Sequence, residues 1–357
     1  MNDNKDRATF LVWLGLWLLS GCSLVEVVGE VETAPAASAG EVGEPHANSV
    51  EDSPTQANGD GGGGAGGGAL DCTGLDPTTP QTSWPPMAYS FVELHTQNNY
   101  SADPSGWCMF SVSPVSEIRA LYRHWNGEFS VLAKTGGGIE ELHRYSSAYP
   151  HELKWQTAEG MQGTKRTMAE SADGATIVID ENGNLKRIAD GAVTTFGPAG
   201  LHADALTQLP SGNIAMAGST HGEAPRVWEL DRSAGAIIRA LTADYPEGDN
   251  IAIGPGGRFY VTHGAGSLSM ATFCGSFTLL SDELNFSEGA VVLPNGDVLL
   301  AVETEKRIVR VDGDTGEIKS STEQGYMPRA LQWHRSGKAY VAAAAYDTVH
   351  ERQWPSW

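Results

Sequence analysis

Seven polar residues of this chain stand where short apolar runs begin: Glu170, His202, Asp204, Asp249, Asn250, Glu288 and Arg329. If those runs are strands that start at one place, the seven converge on a ring of carboxylates with one histidine and one arginine. Such a ring could hold a divalent cation or a polar ligand. Asp204 lies two residues from His202 and so shares its strand face, the arrangement a general base needs in an orienting partner. His202, Asp204 and Glu288 are therefore the first suspects for catalysis, although the residues alone assign no catalytic group. Glu170, Asp249, Asn250 and Arg329 are the binding candidates. The blander reading is that all seven cap strand ends and satisfy one another across a solvated channel. His263, in Thr262-His263-Gly264, reads as a strand end running into a loop.

Other strings lose their chemistry on inspection. Asp312-Gly313-Asp314-Thr315-Gly316-Glu317 has the look of a calcium loop, but Gly316 occupies a ligand position and the bidentate acid downstream is missing. Asp180-Glu181-Asn182-Gly183-Asn184 has early ligands without the Gly that should follow. Both are expected to be turns. Residues 160–167 contain Lys165 without the Gly-Lys-Ser/Thr spacing that cradles phosphate, and no Gly-x-Ser-x-Gly elbow occurs.

The elements that must position the candidates come from a repeat. A few apolar residues, a turn ending in Gly and a second apolar run recur, with turn glycines at 127, 174, 212, 257, 296 and 337. Their spacings of 47, 38, 45, 39 and 41 residues, with no helical periodicity, match four-stranded blades arranged around an axis. Trp228-Glu229-Leu230-Asp231 leading to Gly235, and Val309-Arg310-Val311-Asp312 leading to Gly316, add hairpin turns between third and fourth strands. The all-β fold expected is a β-propeller of six blades, or seven if residues 88–113 build one of their own. An outer strand from 88–94 or 107–112 is expected to close the ring and hide its sheet edges. An open β-sandwich built from the same hairpins is the competing fold.

The stretch Glu288-Gly289-Ala290-Val291-Val292-Leu293-Pro294-Asn295-Gly296-Asp297-Val298-Leu299, with Arg307-Ile308-Val309-Arg310-Val311-Asp312 after it, resembles the propeller superfamily of NHL, YVTN and gluconolactonase-like proteins. The gluconolactonase-like resemblance implies a metal ligand at Glu288. Here Ser287 replaces the expected Pro, and matching Asn and Asp partner motifs are missing. Propellers host binders, scaffolds and enzymes alike, so the resemblance speaks to architecture.

The first residues divide as an export signal does, with Lys5 and Arg7 before an apolar core at 10–19 that is too short to span a bilayer. Leu19-Ser20-Gly21-Cys22 resembles the bacterial lipobox, which implies cleavage before Cys22 and palmitate-type lipid on it. Ser23 rather than Asp then implies sorting to an outer membrane. The expected organisation is a signal peptide at 1–21, a disordered acidic Gly/Ala/Pro-rich linker at 22–71, a lead-in segment at 72–114 and the propeller at 115–357. As a flexible coil of roughly 48 residues the linker reaches about 35–40 Å, enough to hold a domain clear of lipid.

The formal net charge of −21, with neither Lys nor Arg between Arg7 and Arg119, disfavours nucleic acid and anionic lipid surfaces as partners. Besides Cys22 there are Cys72, Cys108 and Cys274, which allow three single-bridge pairings. Cys72 with Cys108 is favoured because both lie in the irregular lead-in, which leaves Cys274 as a buried free thiol. Trp125, Trp155, Trp228, Trp333, Trp354 and Trp357 would suit a glycan or peptide if exposed, and would anchor blades if buried. The leading expectation is a monomeric, lipid-anchored binding or scaffold domain without cofactor, presented to a protein, peptide or glycan at the cell surface or in the periplasm. The rival is a metal-dependent lactonase, hydrolase or lyase working at the channel mouth.

Overall fold

A computed structural model of the chain describes residues 70, 108–111, 115–147, 152–334, 338–343 and 348–353, with short gaps at 221, 265, 285–286, 294 and 325–326. The export signal, Cys22, Cys72, nearly all of the linker, the alternative closing strand at 88–94 and the side chains of Cys108, Trp333, Trp354 and Trp357 lie outside the described residues. Every regular element described is a strand, and all pair antiparallel in six four-stranded sheets.

Five sheets are built from four consecutive strands each, starting with Glu117–Arg123, Met168–Glu170, Leu201–Gln208, Asn250–Gly254 and Ser287–Val292. The sixth starts with Pro328–His334, adds Lys338–Ala343 and Thr348–Gln353, and takes its outermost strand, Cys108–Ser111, from the other end of the chain. Cys108 pairs with Glu351 and Ser111 with Thr348, so residues near 108 close this sheet instead of founding another blade. The first strands of the six sheets neighbour one another in turn, and the sixth returns to the first. This closed circuit is a β-propeller, and it overturns the sandwich alternative.

Local chemistry explains the sheets. Each described turn glycine of the repeat joins a first strand to a second, and Gly127, Gly174, Gly212 and Gly296 have φ of 86°, 83°, 92° and 90°, a region that side chains with a Cβ rarely adopt. Second strands such as Val298–Val302 are buried on both faces, because each sheet is stacked between two others. Outermost strands such as Ala192–Thr195 are largely exposed. The core is therefore a set of inter-sheet layers. Ile177 and Ile179 of the second sheet meet Leu206, Met216 and Trp228 of the third, and Phe129 and Val131 of the first meet Ala330 and Val349 of the sixth. Full burial of one such side chain stabilises by about 1.5–3 kcal/mol. Trp228 is buried and donates its indole N–H to the Gly218 carbonyl at 3.0 Å, while Trp125 and Trp155 are half-buried.

The expectation for Cys274 is corrected. It sits half-buried in the turn before Thr278–Ser281, with φ of 62°, and is disulfide-bonded rather than a free thiol in an apolar interior. Its neighbour Thr272 is exposed, so the sequence context overstated the depth of this position. The expected pairing of Cys72 with Cys108 falls on side chains outside the described residues.

Candidate functional site at the channel mouth

The six first strands run the same way around the ring, so their starts share one mouth. A cavity of about 690 Å³ opens there, and Arg119, Arg166, His202, Asp204, Asp249 and Glu288 line it from the first five sheets. Charge is distributed unevenly around it. The first and second sheets bring Arg119 and the Lys165-Arg166 pair, whereas the third, fourth and fifth bring Asp204, Glu247 with Asp249, and Glu288.

Much of this charge is already engaged. Arg166 forms an ion pair with Glu288, from the sheet three places round the ring, so the pair spans the channel. Arg119 pairs with buried Glu140, which also accepts the Gly163 N–H at 2.6 Å. Arg329 forks onto Glu303, donating at 2.7 and 3.3 Å, and pairs with Glu117 as well. Its guanidinium thus ties the sixth sheet to the fifth and first, which makes it a brace instead of the ligand-binding group expected. Burial, then the nearby Arg329 and Arg119, depress the Arg166 pKa to about 10. Burial likewise lowers Arg119 and raises the Asp204 carboxyl above its ordinary value.

The rim on the acidic side is a built loop. Tyr245 donates its hydroxyl to the Gly248 carbonyl at 2.9 Å and accepts the Gly248 N–H at 2.9 Å. A Cβ on Gly248 would meet the Thr262 carbonyl oxygen at 2.6 Å, so only glycine fits. Glu247 is held in the left-handed region at φ 51°, a conformation costing about 1–3 kcal/mol for a residue with a side chain. Its carbonyl contacts His263 Nδ1 at 2.8 Å, and His263 Nε2 lies 3.0 Å from the Ser269 hydroxyl. His263 therefore props the rim.

The mouth holds His202, Asp204, Asp249 and Glu288 as the sequence led one to expect, and adds Arg119, Lys165, Arg166 and Glu247. Asn250 lies deeper, on the wall of an inner channel cavity of about 260 Å³ lined by apolar groups such as Leu121, Leu206, Ile253 and Leu331. Arg166 borders both cavities and so marks the floor of the mouth. His202 Nδ1 and Asp204 Oδ1 are 3.9 Å apart, too long for a hydrogen bond, and the His202 side chain is 62% exposed. Glu288 faces an arginine, and the described residues contain no group of three or more His, Cys, Asp or Glu positioned to hold a metal ion. A divalent cation does not fit this arrangement as it stands.

Glu170 is the clear misplacement. It ends its strand rather than starting it, and so lies at the far end of the channel. There it accepts the Trp125 N–H at 2.9 Å and stands 3.4 Å from His124 Nδ1. The His124 Nε2 is 2.7 Å from the Ser130 hydroxyl and also faces Arg144, which donates to Glu128 at 2.7 Å and to the Gly174 carbonyl at 3.2 Å. Full burial depresses the His124 pKa to about 4, so the ring is neutral near pH 7. The first strand of this sheet, Met168–Glu170, is only three residues long and lacks an apolar run; the sequence signal attached to the following strand instead.

No family model matches the chain, and no curated protein matches its sequence. Among solved structures it is similar to a gluconolactonase from Xanthomonas campestris, with a TM-score of 0.53 and 11% identity over 70% of this chain and 90% of that one. A calcium-binding protein, regucalcin, from Agrobacterium tumefaciens gives a TM-score of 0.50 and 14% identity, covering 67% and 90%. A streptogramin B lyase gives 0.49 and 14%, covering 71% and 85%. The shared feature is the β-propeller fold. Among the described residues, no helix is long and apolar enough to cross a membrane.

Proposed function

We propose that this propeller is a recognition domain, presented on a lipid tether from Cys22, that binds a polar ligand in the cavity at its channel mouth. The observation that carries the reading is the division of labour there. The deep arginines and glutamates lock one another, while Lys165, His202, Asp204, Glu247 and Asp249 line the rim of a cavity of about 690 Å³. That volume lies in the range of sites for drug-sized ligands, and a few convergent polar groups fix orientation in such sites. Catalysis by His202 is less well supported, because Asp204 does not hold its ring.

Two experiments test the reading. Full-length protein expressed in bacteria with labelled palmitate should carry label that Cys22→Ala removes; label retained by that variant would end the tether proposal. Peptide and glycan panels screened with the full chain should give ligands lost on Arg166→Ala. Turnover of a lactone that requires added divalent metal, and is lost on Glu288→Ala, would replace recognition by the lactonase reading that the similarity to a gluconolactonase and a calcium-binding propeller suggests.

A further inference from the structure

We infer that the mouth takes a dipolar ligand, a short peptide with both termini free, whose carboxylate lies toward Lys165 and Arg166 and whose ammonium lies toward Asp204 and Asp249. The inference rests on the recognition reading above and adds the ligand class. Its basis is the segregation of charge around the ring. Among the groups lining the cavity, the basic ones come from the first and second sheets and the acidic ones from the third, fourth and fifth, so a field runs across the cavity instead of averaging out. Electrostatic complementarity of this kind selects orientation and partner.

The groups still open to a ligand follow the same division. Among the described residues Lys165 forms no ion pair, and Arg166 pairs with Glu288 alone, leaving part of its five-donor fork for a second carboxylate. On the opposite side Glu247 and Asp249 are exposed and form no ion pair among the described residues. Asp204 sits within the field of both Lys165 and Glu247, which places it where the two halves meet. The strained backbone at Glu247 and the sterically required Gly248 fix the position of the acidic rim, as expected of a preorganised site. With Arg166 and Glu288 as its floor, the cavity suits a few residues rather than a long chain threaded through the channel.

The test is calorimetric titration of the full-length protein with tetra-alanine bearing free termini, with its N-acetylated form and with its C-amidated form. Binding of the free peptide at millimolar concentration is expected, and each cap should weaken it by about tenfold, the loss of one charge-assisted contact. Lys165→Ala should weaken the free peptide but leave the amide unchanged, and Asp249→Asn should weaken the free peptide but leave the acetylated form unchanged. Both positions are on the rim, and melting curves will show that these variants fold. Equal binding of free and capped peptides, or no saturable binding of the free peptide, overturns the dipolar inference. An uncharged oligosaccharide that binds and is lost on Arg166→Ala would overturn it while leaving recognition at the mouth intact. Failure of every ligand to respond to mouth substitutions would remove both.

Discussion

Each end of the inner strands carries a histidine beside a carboxylate, and the two pairs are put to different use. At the far end His124 is fully buried, with Ser130 and Arg144 on one ring nitrogen and Glu170 3.4 Å from the other. At the mouth His202 is exposed and stands 3.9 Å from Asp204. The residue types are the same, but desolvation and the supply of donors differ. Where burial excludes water and partners crowd the ring, the pair fixes one sheet against the next; where the groups stay hydrated, the pair remains available to a ligand.

The contrast can be broken most severely at the far end, around His124. Arg144→Met should cost about 3–5 kcal/mol in urea unfolding, because it removes the buried guanidinium's hydrogen bonds to Ser130, Thr176 and the Gly174 carbonyl together with its ion pair to Glu128, whose remaining ion pair is with Lys154. Acidification should act next, and its sign follows from His124. The folded-state pKa of about 4 lies below the unfolded value near 6.5, so between these values only the unfolded chain takes up the proton. Stability is therefore complete above pH 6.5 and is lost as pH falls toward 4, by about 3 kcal/mol. A urea series over that range checks it, and His124→Gln should flatten the slope. Arg166→Ala should cost about 1–3 kcal/mol by leaving Glu288 unpaired, with Glu288→Gln in the same chain recovering part of the loss. The smallest effect belongs to the rim: Lys165→Ala should shift stability by no more than about 0.5 kcal/mol, which would sharpen the division between a mouth that binds and an interior that holds.

Much of the fold was legible because turn chemistry is local. The glycines at 127, 174, 212, 257 and 296 all join first strands to second ones, and the strings at 180–184 and 312–316 are the turns expected of them. The site was legible only in part. His202, Asp204, Asp249 and Glu288 stand together, but Glu170 fell at the wrong end because its three-residue strand has no apolar signature. Arg119 and Arg166 went unnoticed, although each lies a few residues from an apolar strand position, because no motif marks an arginine that will face a channel. Cys274 illustrates the same limit, since neighbouring residues in sequence do not report what crosses in space.

The sequence by itself determined the repeat, the positions of the turns and the acidity of the chain, all of which depend on residues close together in the chain. Only the tertiary structure decided that Cys108–Ser111 completes the last sheet, that Arg166 meets Glu288 across the channel and that basic and acidic groups occupy opposite arcs of the mouth. These pairings join residues far apart in sequence, and which of them form is settled when six sheets, each unable to bury its faces alone, close into one ring.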